Sequence, residues 1–347
     1  MALLGATATV TALWVDASST DMGIVELIDP GADSAAAPQL HADFADLVFP
    51  PGIGHDGQSY YLISRSPMHL DDVAPFLDRP RYRAGRPLLP WLGWLLHPQG
   101  GGTGLVLALV SSNAAALVLG GIAAGGLAAA AGARSRIVGY LALLFPLAPG
   151  SMASFGLTTP DILATALALL AVLLSWHGRA RSAVVAGVLA VLAKESIFLV
   201  LLGYALSRRR RADWVLAGVP VLVAGAWAVA LRFLLPESSE SLQELRPFVH
   251  LPRLVRGWLH GEDAVAGLIV VGVAAMGVVV LVRCGIRSAF AGIVVLQLAM
   301  LPMLHFNVLQ LNWNASRTML PLMVFSAIAL SSHAASVPAS RPLEAPA

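Results

Sequence analysis

Five long apolar stretches, residues 103–131, 213–235, 264–282, 288–305 and 318–333, constrain this chain more than anything else in it. About 20 apolar residues span the hydrocarbon of a bilayer as a helix, and only helices and closed barrels satisfy their backbone groups there. The chain is 57% hydrophobic and only 12% charged, where soluble domains carry about 25% charged residues. Shorter apolar runs lie at 2–15, 136–149, 161–176, 182–193 and 196–206. Together they predict an all-α integral membrane protein, a multi-pass bundle of about 8–10 membrane segments, some of them short hairpins.

Arginine clusters orient the bundle. Arg134 with Arg136, Arg179 with Arg181, Arg208 to Arg211, and Arg283 with Arg287 separate the apolar runs, and the positive-inside rule places them in the cytoplasm. Runs 136–149 and 161–176 then form a hairpin whose tip, Pro149-Gly150-Ser151 through Pro160-Asp161, points outward. Runs 182–193 and 196–206 form a second, with Lys194-Glu195 at its turn. Its arms are too short to cross, so the turn falls within membrane depth. The alternative, one continuous helix over 182–206, breaks the positive-inside pattern.

Four regions follow. Residues 1–15 read as a shortened or truncated first membrane helix rather than a signal-like segment. Residues 16–102 form a long first outer loop, 103–333 the transmembrane bundle, and the proline-bearing 334–347 a disordered tail. Residues 236–263 and 306–316 face the same outer side as the loop. Within these outer parts, Pro87–Leu96 and 242–260 read as interfacial helices.

The outer loop holds the chemistry. His55-Asp56-Gly57-Gln58-Ser59-Tyr60-Tyr61 places a carboxylate between glycines, either a surface turn or a site that lets a ligand come close. Arg79, Arg81, Arg83 and Arg86 follow; Arg83 and Arg86, three apart, share a face on a helical turn and suit bidentate contact with phosphate oxygens. Lys194 is the only lysine, and with Glu195 it interrupts an apolar run. Ionisable groups at such depth are costly and usually functional. Arg317, with Asn312 and Asn314 nearby, opens the last helix as either an interface anchor or a ligand group. Thr158-Thr159-Pro160-Asp161 reads as a helix start, with Thr159 as N-cap and Asp161 favouring the dipole. Asp71-Asp72 marks another helix start.

Several classes drop out. The single cysteine, Cys284, excludes an internal disulfide framework. No Walker motif, dinucleotide glycine loop or nucleophile elbow is present. With a net charge of +2, no nucleic-acid partner is expected. His41, Asp43, Asp46, His55 and Asp56 show no convincing metal-ligand spacing; no cofactor is marked out, and a divalent metal is left undecided.

The order of motifs resembles a known family. An Asp-Gly-Gln-x-Tyr-Tyr segment is followed by Tyr-Arg-x-x-Arg and a Pro-Leu-Leu-Pro segment. A Thr-x-Pro-Asp hairpin tip, a Lys-Glu break and a last helix opening with Asn-x-x-Arg complete the series. From about Gly54 to Leu330 the chain looks like the GT-C glycosyltransferases, multi-pass enzymes that use lipid-phosphate sugar donors, in particular bacterial members. The resemblance implies transfer of a sugar from a polyprenyl-phosphate donor to a glycan or lipid acceptor, on the outer side of the cytoplasmic (inner) membrane. It implies Asp56 as the essential acid residue, acting as general base. His55, Gln58, Tyr61, Arg83, Arg86, Lys194, Glu195 and Arg317 are the expected substrate-binding residues. Where the family has a second loop carboxylate, Asp43, Asp46, Asp71 and Asp72 are equal candidates. The competing expectations are a transporter or flippase for a lipid-linked or anionic solute, and a non-catalytic assembly subunit.

Overall fold

The computed structural model describes residues 1–235, 247–260 and 264–336. Every regular element among them is helical. The first helix, α1 (Ala2–Ser18), leads into a loop carrying α2 (Ala37–Asp43), α3 (Asp56–Arg65), α4 (Leu70–Val73), α5 (Pro80–Ala84) and α6 (Leu88–Leu96). The bundle follows as α7 (Gly102–Ala130), α8 (Ser135–Leu147), α9 (Pro149–Gly156), α10 (Asp161–Trp176), α11 (Ala180–Ala193), α12 (Phe198–Arg208) and α13 (Arg211–Leu234). Then come α14 (Leu251–Leu259), α15 (Ala264–Cys284), α16 (Ala291–Met300), α17 (Phe306–Gln310) and α18 (Asn312–Ser336). Helices α7, α13, α15, α18 and the α8–α9 pair are long and apolar enough to cross a membrane. The expected tail beyond residue 336 and most of 236–250 and 261–263 fall on or beside residues outside the described set; α14 supplies the described part of the 242–260 helix.

The α8–α9 pair is broken where the sequence requires it. Ala148 precedes Pro149 and takes an extended backbone (ψ 139°), because the proline ring disfavours the helical region for its predecessor. Thr9 of α1 donates its hydroxyl to the Pro146 carbonyl at 2.8 Å, tying the first helix to the break. Where an outward hairpin tip was expected after 149, the chain inserts the extra helix α9.

Contacts at one end of the bundle settle the form of 182–206. Ser175 donates to Asp213 at 2.6 Å, Arg208 lies 4.6 Å over the Trp176 ring, and Trp176 stacks on Phe290 at 5.8 Å. The end of α10, the end of α12 and the start of α13 therefore share the end that carries the arginine clusters. Gly187 in α11 lies against Leu201 in α12, each seven residues from Lys194. The segment is a hairpin, and one continuous helix is ruled out.

Residues 288–305 depart from expectation. Helix α16 stops at Met300 and a 3-10 turn covers Leu301–Met303. Pro302 has no N–H to continue the ladder, and Leu304 is extended (ψ 141°). With 14 residues in α11 and 10 in α16, these helices rise about 21 and 15 Å, short of the roughly 30 Å hydrocarbon. Their tips leave a recess in the end of the bundle opposite the arginine clusters. The short helices are locked together by glycine: a Cβ at Gly292 would sit 2.2 Å from the Gly203 carbonyl oxygen, and one at Gly203 2.5 Å from Ile293 backbone.

Two outcomes follow. In a Cys284→Ala background, an impermeant thiol reagent added outside cells should modify Met68→Cys and spare Ser182→Cys; the reverse pattern contradicts the orientation. Gly203→Val forces backbone apart at the α12–α16 crossing, an overpacking cost of about 1–3 kcal/mol, and should lower the melting temperature in detergent by several degrees.

Candidate functional site

Asp56 is aimed by backbone constraints on both sides. Gly54 holds a positive φ of +60°, which glycine adopts without strain. Gly57 is not a turn residue: a Cβ there would lie 2.5 Å from the Leu157 carbonyl oxygen and 2.9 Å from that of Ile28. The Asp-Gly pair therefore opens helix α3 instead of forming a surface turn. Asp56 sits in the first helical turn, where the dipole favours an anion.

From Asp56 a chain of alternating charges runs across the recess. Arg83 of α5 pairs with Asp56 and also grips Asp78 through two hydrogen bonds of 2.8 Å. Arg317, near the start of α18, lies 3.5 Å from Asp56 and 3.9 Å from Asp161. Asp161, the first residue of α10, pairs with Lys194 at the hairpin turn. Arg86 holds Glu195 in a two-pronged pair at 2.8 and 2.7 Å and stacks over Tyr82 at 4.4 Å. Each charge has at least one partner of opposite sign, the condition under which charges persist when buried. Burial alone would raise the Asp56 pKa, but Arg83, Arg317 and Arg86 outweigh it and hold the carboxyl at about 2.

The recess is a cavity of about 870 Å³. Its lining includes five cationic side chains, Arg79, Arg83, Arg86, Lys194 and Arg317, against the carboxylates of Asp56, Asp161 and Glu195. Met300, Met303, Leu304 and Val308 form an apolar wall beside them. Arg317 is the least satisfied group: its side chain is 8% exposed, and Nη1 has no hydrogen-bond acceptor among the described residues.

The structure thus brings Asp56, Arg83, Arg86, Lys194, Glu195 and Arg317 together, from segments far apart in sequence. Others go elsewhere. Tyr61 is fully buried, donates to Asp43 and accepts from the Gly102 amide, both at 2.6 Å, so it does not line the cavity. Tyr60 does the work nearby, its hydroxyl 3.3 Å from Arg86. Gln58 staples the loop, donating to the Ile53 carbonyl at 2.6 Å and accepting from Gly31 at 3.4 Å. His55 packs edge-on against Trp313 at 5.5 Å and lies 3.7 Å from Asp29. Arg81 binds the Leu235 carbonyl at 2.9 Å, anchoring the loop to the end of α13.

None of Asp43, Asp46, Asp71 and Asp72 lines the cavity; the further carboxylates at the site are Asp78 and Asp161. The helix start at Asp161 is as expected, but its cap is different. Ser154 accepts from the Ile162 amide at 3.3 Å, while Thr159 donates to Asp161 at 2.9 Å. Among the described residues no group of three His, Cys, Asp or Glu side chains is placed to hold a metal ion.

The network generates two predictions. Asp161→Asn leaves Lys194 and Arg317 facing each other without their shared anion, a loss of about 3–5 kcal/mol; adding Lys194→Met should recover part of it in a double-mutant cycle. Because the folded pKa of Asp56 is depressed, its contribution to stability is full above about pH 4 and falls away as pH drops through about 2. Melting curves from pH 6 to pH 2 should therefore fall less steeply for Asp56→Asn than for wild type. No protein-family model, curated protein or solved structure matches this chain.

Proposed function

We propose that this protein is a membrane glycosyltransferase that moves a sugar from a polyprenyl-phosphate donor to an acceptor, with Asp56 as general base. The observation that carries the reading is Arg317: a buried guanidinium whose Nη1 has no hydrogen-bond acceptor among the described residues, in a cavity lined by five cationic side chains and three carboxylates beside an apolar wall. A phosphate oxygen satisfies that nitrogen, and an isoprenoid chain suits the wall of Met300, Met303, Leu304 and Val308.

The chemistry follows from the same groups. The acceptor oxygen attacks the anomeric carbon while the bond from that carbon to phosphate oxygen breaks. The electron pair leaves with the phosphate, which the cations stabilise. The acceptor proton passes to Asp56. A single displacement inverts the anomeric centre. In the resting site Asp56 is a weak base, since Arg83 and Arg317 hold its pKa at about 2. A bound phosphate competes for those guanidiniums, and the carboxylate regains basicity when the donor is in place. The base is thereby switched on by the substrate.

A second reading has one observation in its favour. The α11–α12 hairpin and the short α16 end at a polar cavity, as broken helices do in transporters. It predicts movement of a lipid-linked or anionic solute with no glycosylated product.

In membranes supplied with labelled polyprenyl-phosphate sugars, wild-type protein should form a glycosylated product. Asp56→Asn should transfer about 10²–10⁴-fold more slowly while still binding the lipid phosphate. Arg317→Gln should weaken lipid-phosphate binding itself. A folded Asp56→Asn protein with near wild-type transfer overturns the assignment of the base.

A further inference from the structure

A second cavity, of about 580 Å³, lies on the far side of Asp56. Asp56, Arg79, Arg83, Asn307 and Asn314 line both spaces, so the Asp56–Arg83 pair is part of the partition between them. What each cavity holds alone differs in charge. The first alone has Arg86, Lys194 and Arg317 against Asp161 and Glu195. The second alone has Asp33, Asp78, Ser34, Gln58 and Ser59, with the rings of Phe76 and His55, and adds no guanidinium or ammonium group.

Burial lowers the His55 pKa, against the opposing pull of Asp29. The Ser34 hydroxyl is buried without a hydrogen-bond partner among the described residues. A second anion in this space meets three carboxylates with only the partition's guanidiniums to offset them. A hydroxyl-bearing molecule meets carboxylate acceptors, the polar side chains of Ser34, Gln58 and Ser59, and the rings of Phe76 and His55.

We propose that the second cavity seats the acceptor and that the acceptor is a neutral, hydroxyl-rich carbohydrate. The proposal rests on the transferase reading and deepens it. In-line displacement places the attacking oxygen and the leaving phosphate on opposite sides of the anomeric carbon. Two cavities meeting at Asp56 supply that arrangement: phosphate among the cations of the first, acceptor hydroxyl arriving from the second, and Asp56 taking the proton at the partition.

The test uses cysteine protection in purified Cys284→Ala protein, with Ala35→Cys reporting on the second cavity and Met303→Cys on the first. Polyprenyl phosphate should slow maleimide labelling of Met303→Cys and leave Ala35→Cys unaffected. Neutral methyl glycosides and oligosaccharides should slow labelling of Ala35→Cys about fivefold or more as they exceed their dissociation constants, and uronic acids of the same size should not. Protection of Ala35→Cys by uronic acids as well as by neutral sugars overturns the proposal. So does absence of protection by any sugar while polyprenyl phosphate still protects Met303→Cys. If polyprenyl phosphate fails to protect Met303→Cys, the transferase reading itself falls.

Discussion

The alternating series Arg83, Asp56, Arg317, Asp161, Lys194 is the interaction on which the rest of this architecture depends. Each member belongs to a different element: α5, α3, α18, α10 and the hairpin turn. None of them is stable alone where it sits, because an unpaired buried charge loses several kcal/mol of hydration. Pairing end to end removes that cost only if all five elements take one relative position. The loop is therefore docked on the bundle by electrostatics as well as by its apolar core.

The recess that the series lines is a product of helix length. Helices α11, α12 and α16 are too short to fill the thickness of the bundle, and Gly203 and Gly292 let two of them cross in backbone contact. Above their tips, long helices such as α18 continue upward and supply Arg317. A site made this way is surrounded by rigid helix ends, which suits chemistry that depends on charge held in fixed places. It is also poised rather than neutralised. The cations of the first cavity exceed its carboxylates, and the carboxylate proposed as base is occupied by arginines until another anion competes for them. On the proposed reading, substrate binding and activation of the base are one event.

Much of this was legible in the sequence, for identifiable reasons. Apolar runs located four of the five expected long helices, α7, α13, α15 and α18, and the break at Lys194-Glu195 located the hairpin. Asp56, Arg83, Arg86 and Arg317 stood out as polar groups that spanning helices do not need. The failures are equally specific. Reading Asp-Gly as a turn hid the helical phase of 56–65, in which Tyr60, four residues on, shares the face of Asp56 while Tyr61 points away. Asp161 looked like a residue serving its own helix dipole, and nothing local revealed that Lys194 and Arg317 converge on it. Pro302 was visible, yet the apolar composition around it outweighed the break it causes. Long-range pairing carries no signature in a single sequence.

The claim that a phosphate frees the base is open to direct measurement by infrared difference spectroscopy. The band of Asp56 is identified as the carboxylate signal present in wild type and absent from Asp56→Asn, and is titrated with and without polyprenyl phosphate. The account predicts a transition near pH 2 in the free protein that moves up toward the ordinary carboxylate range, about 4, when polyprenyl phosphate is bound. An Asp56 transition unchanged by saturating polyprenyl phosphate contradicts it.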